Sequence, residues 1–92
     1  MSVDTDSLDR TLRALSDPTR RRIYEALGRR PGSTTSELAT AEPRLSRWAV
    51  MKHLAVLRGA GLVQTLPEGR RRRHFRDDRT LAALREWLEA AG

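Results

Sequence analysis

Ser46-Arg47-Trp48-Ala49-Val50-Met51-Lys52-His53-Leu54-Ala55-Val56-Leu57-Arg58 is the stretch that decides how this chain folds. Ser46 is suited to cap a helix, because its hydroxyl can accept a hydrogen bond from an amide that the first turn leaves free. Val50, Leu54 and Leu57 then recur at i, i+4 and i+7, one apolar stripe along a helix. Gly59 and Gly61 end it, so the helix spans 46–58. With the stripe turned to a core, Arg47, Trp48, Met51 and Lys52 are left on the opposite face of its first turns.

Just upstream, Thr34 or Thr35 can cap a short helix containing Glu37, Leu38 and Ala39, and Thr34 with Glu37 has capping-box spacing. Pro43 in the segment 41–45 stops that helix. A short helix, a tight turn and a longer helix let one helix brace while the other enters the major groove of DNA. The face carrying Arg47, Trp48, Met51 and Lys52 is then the one presented to base edges. Ser46 sits where free amides and the positive end of the helix dipole favour a phosphate, besides being an ordinary cap. Trp48 read alone also suits a core or an interface, but its place two residues before Val50 points it outward. His53 reads as structural or phosphate-facing.

Downstream, 62–66 reads as a strand, 67–69 as a turn and 70–76 as the returning strand. Arg70, Arg71, Arg72, Arg73 and Arg76 crowd this second strand and its turn. Alternation sends them to both faces, so they cannot all meet one ligand. A wing with Arg70 and Arg71 at its tip, spanning 67–76, suits the phosphate backbone or the minor groove. The competing reading is an edge strand guarded by charge.

Three further helices complete the chain. Leu8, Leu12 and Leu15 recur at helical spacing behind Asp6 or Ser7 as cap. Asp17-Pro18 caps and opens a second helix that runs through Ile23 and Leu27, and Gly28 is expected to close it in the left-handed conformation, with 29–33 as a loop. Asp77 or Asp78 caps a last helix with Leu81, Leu84, Trp87 and Leu88 on one side. The expected fold is mainly α with a small β-hairpin (α+β), ordered α-α-α-α-β-β-α, as one domain over 1–92.

Composition narrows the chemistry. The chain has 92 residues and a formal net charge of +6, and Lys52 is its only lysine. Arginine forks pair bidentately with phosphates and guanine edges, although a solvated basic surface has the same composition. A domain this small has a marginal core of its own, which makes an oligomer plausible. There are no cysteines, which excludes disulfides, thiolate metal sites and cysteine nucleophiles. No glycine-rich phosphate loop or nucleophile elbow is present, and Asp77-Asp78 stands where a helix cap belongs, so no enzyme site is expected. No apolar run reaches membrane-spanning length, and a cytoplasmic protein is expected.

Leu12-Arg13-Ala14-Leu15-Ser16-Asp17-Pro18-Thr19-Arg20-Arg21-Arg22-Ile23 resembles the opening "ALADPTRRRIL" of ArsR-type winged-helix repressors. Ser46 through Leu54 resembles that family's "SRPAVSKHL" recognition helix, and the likeness continues through Leu57–Val63 and Glu68-Gly69-Arg70, covering roughly 8–88. The resemblance implies a homodimeric repressor on an imperfect inverted repeat in double-stranded DNA, with the first and last helices at the interface. Leu8, Leu12, Leu15, Leu81, Leu84, Trp87 and Leu88 are the expected interface and adjacent core. It carries DNA contacts to Arg47, Trp48, Met51, Lys52 and Arg70, and backbone contacts to Thr35 and Ser36. Trp48 and Met51 replace the family's smaller or polar residues, which leaves the operator sequence open. The Cys-x-Cys pair of metal-sensing members is missing from Thr34-Thr35-Ser36-Glu37-Leu38, and no metal or other cofactor is expected. The inducer and the regulated genes stay open. The rival readings are a winged helix used only for protein interaction or dimerisation and, with few aromatics for base stacking, an RNA-binding basic wing.

Overall fold

The fold is built around the buried stripe of its recognition-type helix. The computed structural model describes residues 5–92. Its elements are α1 (Thr5–Ser16), α2 (Pro18–Arg29), β1 (Ser33–Thr34), α3 (Thr35–Ala41), α4 (Arg47–Gly59), β2 (Val63–Glu68), β3 (Arg71–Arg76) and α5 (Asp78–Ala91). Val50, Leu54 and Leu57 of α4 are fully buried against Ala14, Ile23, Leu27, Leu38, Leu62 and Val63. This is an α+β winged helix.

Local chemistry explains most boundaries. Asp17 caps α2 by accepting from the Arg20 amide at 3.0 Å, with Pro18 opening the helix. Thr34 and Glu37 form the reciprocal capping box on α3, at 3.1 Å and 3.0 Å. Ser46 caps α4 through the Ala49 amide at 3.0 Å. At the other end of α4 the Leu62 amide donates to the Leu57 carbonyl and the Gly61 amide to that of Arg58, both at 2.9 Å. Gly61 has φ +74°, so this is a Schellman closure, sealed by burial of Leu57 and Leu62. Asp77, rather than Asp78, caps α5.

Several sequence expectations need correction. Helix α1 already includes Thr5, so Asp6 and Ser7 lie inside it, and the Ser7 carbonyl accepts from the Thr11 hydroxyl. Gly28 does not close α2, because the helix runs on to Arg29. It leaves room instead for Arg76, whose Nη1 lies 2.5 Å from where a Cβ would stand. The left-handed turn falls at Gly32, φ +82°. Ser33, expected in the loop, and Thr34, expected as a cap, form strand β1, so the hairpin is part of a three-stranded antiparallel sheet ordered β1-β3-β2. Pro67 and Glu68 belong to β2, and Glu68 pairs with Arg71. The hairpin turn is therefore Gly69-Arg70, with positive φ at Gly69 alone, the type II′ pattern that matches strand twist.

Candidate nucleic-acid interface

Two helix starts and the wing converge on one cleft of about 110 Å³, lined by Thr34, Thr35, Ser36, Arg47, Met51, Arg70, Arg71 and Arg72. Six of the ten expected contact residues meet there, although Met51 and Arg70 are 19 positions apart. Trp48 and Lys52 lie beside it on the exposed face of α4, with the Lys52 ammonium 4.3 Å from the centre of the Trp48 ring. Ser46 is exposed at the helix start. His53 is half-buried and stands within electrostatic reach of Asp17.

Wing arginines divide into two sets. Arg73 clamps Glu68 and donates to the Gly32 carbonyl at 3.0 Å. Arg76 binds Asp78 at 2.9 Å and stacks over the Tyr24 ring at 4.5 Å. Arg70, Arg71 and Arg72 are exposed and form no salt bridge among the described residues. Arg72 was not among the sequence-derived contacts. Strand alternation carries the signal for it: Arg72 shares a face with His74, two residues on, and His74 turns toward the helices.

His74 is the buried polar centre of this region, with 1% of its surface exposed. Its Nε2 lies 2.8 Å from the Thr35 hydroxyl and its Nδ1 2.8 Å from that of Thr65. Thr35, an expected contact to the DNA backbone, lines the cleft with its side chain buried and its hydroxyl on His74, a contact that ties α3 to β3. Burial, reinforced by the positive charges of Arg58 and Arg72, pushes the His74 pKa down to about 4. The carboxylates around the site are held low: Glu37 by its bond from the Thr34 amide, and Glu68 by Arg73. Both carboxylates therefore stay ionised at neutral pH, and the positive charge of the face comes from its excess of arginines.

A family model described as a helix-turn-helix domain matches residues 15–65, more than half of the chain and all of α2 through α4. The chain is 47% identical over 83 residues to the HTH-type transcriptional regulator Rv2034 of Mycobacterium tuberculosis, covering 90% of this chain and 76% of that protein. The ArsR-like transcriptional regulator from Rhodococcus sp. RHA1 superposes with a TM-score of 0.86 at 38% identity, covering 95% of this chain and 78% of its own. This chain belongs to the ArsR-type winged helix-turn-helix regulators. The cadmium metal-sensor CmtR of Mycobacterium tuberculosis is 41% identical with a TM-score of 0.64, over 91% and 86% of the two chains. The protein is thus a DNA-binding transcriptional regulator of a family that is not enzymatic. Its sequence has no cysteine, and among the described residues no three His, Asp or Glu side chains converge on a common point. No described helix is long and apolar enough to cross a membrane.

Proposed function

We propose that the chain, acting as a single domain over 1–92, is a homodimeric repressor that occupies an imperfect inverted repeat in the cytoplasm. Helix α4 of each subunit enters the major groove, and the two recognition helices lie about 34 Å apart, one helical turn of DNA. Arg47 and Lys52 reach base edges, Ser36 and Ser46 face the backbone, and Arg70, Arg71 and Arg72 grip phosphates or the minor groove. The observation that carries this reading is the cleft shared by the N-terminal ends of α3 and α4 and the free arginines of the wing.

The dimer is supported by what α5 leaves uncovered. None of its residues is buried, and Trp87 and Leu88 are 39% and 56% exposed. Across from it α1 exposes Leu12, and Leu8 and Leu84 line a cavity of about 390 Å³ between the two helices. Leu15 and Leu81 are partly buried and pack on the core from the same two helices. An apolar helix face without a cover in its own chain is what a second copy would bury.

Fluorescence-anisotropy titration with the gene's own promoter and with scrambled DNA, at physiological salt, tests the reading, with sedimentation followed in parallel. A dimer binding its promoter on the order of a thousandfold more tightly than scrambled DNA is expected. Equal, weak and salt-sensitive binding to both would leave a basic surface only. The protein-interaction reading would then take its place, and loss of Arg47 and Lys52 would be tolerated.

A further inference from the structure

Hydrogen bonding to base edges accounts for the cations of α4 but not for its exposed apolar side chains. Trp48 is 66% exposed and Met51 51% exposed. They are three residues apart and so neighbours on one helix face. Lys52, one turn beyond Trp48, lies over its ring at 4.3 Å, a cation–π contact that holds the indole in one orientation before any ligand arrives. Ala55 continues this exposed face with a small side chain. Met51 also lines the cleft with Arg47 and the wing arginines. Two large apolar groups thus stand beside Lys52 on the helix and beside Arg47 and the wing arginines in the cleft.

Apolar surface held out to solvent is stabilised when a complex covers it. The surrounding charge selects a polyanion as the cover. Along the major groove the base edges offer hydrogen-bonding groups at every pair, and one apolar group, the C5-methyl of thymine. We propose that Trp48 and Met51 recognise thymine C5-methyl groups in each operator half-site, with Lys52 positioning the indole for that contact. The inference rests on the operator-binding reading above and adds the chemistry by which the operator is chosen.

Replacing thymine by deoxyuridine removes the methyl and leaves every hydrogen-bonding edge intact. A binding site is first selected from random duplex DNA with the full wild-type chain. Each of its thymines is then replaced in turn, and affinity is measured by anisotropy. At one or two thymines per half-site the affinity is expected to fall about three- to fivefold, the effect of burying one methyl group. Trp48→Ala and Met51→Ala should each bind the thymine and uracil duplexes equally at one of those positions and keep the wild-type response elsewhere. Both residues are exposed, so unchanged melting temperatures show that the variants are folded. Tolerance of uracil at every position overturns the inference while leaving operator binding intact, as does wild-type sensitivity in both variants. Failure to enrich any sequence overturns the operator reading and this inference together.

Discussion

His74 shows how one side chain binds the parts of the interface together. Arg58 Nη1 donates to the Thr65 hydroxyl at 3.3 Å. In the neutral imidazole one ring nitrogen donates and the other accepts, so the Thr65 and Thr35 hydroxyls are both met. Protonation would make both ring nitrogens donors and place a buried charge near Arg58 and Arg72. The folded-state pKa of about 4 lies below the unfolded value of about 6.5, so the unfolded chain binds the proton first. The stability contributed by neutral His74 is complete above pH 6.5 and is lost as the pH falls towards 4. Urea unfolding should show a loss of about 2 kcal/mol from this group between pH 7 and pH 5. His74→Gln should remove that slope, and an unchanged slope in the variant would refute the assignment. Arg47 has the opposite character, exposed and without a salt bridge among the described residues. Arg47→Ala should leave the melting temperature alone and weaken operator binding by on the order of 1–3 kcal/mol. Unchanged affinity and selectivity would show that α4 docks differently.

At the scale of elements, the wing separates charges that hold the sheet from charges left for a ligand. Arg73 joins β3 to Glu68 and to the loop before β1, and Arg76 joins it to α2 and α5. Arg70, Arg71 and Arg72 remain at the tip. Replacing these three by Ala should flatten the dependence of log affinity on log salt by roughly one unit for each arginine that neutralises a phosphate. The ranking of DNA sequences should stay as it was. A changed sequence preference at constant salt slope would place the wing on base edges instead. Helix α4 was legible in the sequence from cap to closing glycine, because its stripe, its Ser46 cap and Gly61 are local signals. Strand β1 was not, since two residues carry no periodicity and exist as a strand only through pairing with Arg73 and His74.

At the scale of the whole molecule, α1 and α5 pack on the core through Ala14, Leu15 and Leu81 but leave apolar side chains uncovered on their outer faces. Leu12 and Leu88 are exposed in the single chain, so charging them leaves the monomer's core intact. The double variant Leu12→Glu, Leu88→Glu should keep its helical circular dichroism and sediment as a monomer. Its operator affinity should drop by at least about tenfold, because two half-sites would no longer be held together. A dimer that survives both changes would move the interface to another face.

The sequence by itself determined the helical stripes, the caps at Asp17 and Ser46, the capping-box spacing of Thr34 with Glu37, the helix-turn-helix order and the basic hairpin. All of these are written in residues a few positions apart, where hydrogen bonding and helical spacing act directly. Only the tertiary structure decided that Gly28 admits Arg76, that Thr35 meets His74 and that Arg73 reaches the Gly32 carbonyl. Thr35 and His74 are 39 positions apart, and Gly32 and Arg73 are 41. No local pattern encodes such pairs, because they form when a buried core brings α3 and β3 together and leaves each buried polar atom in need of a partner.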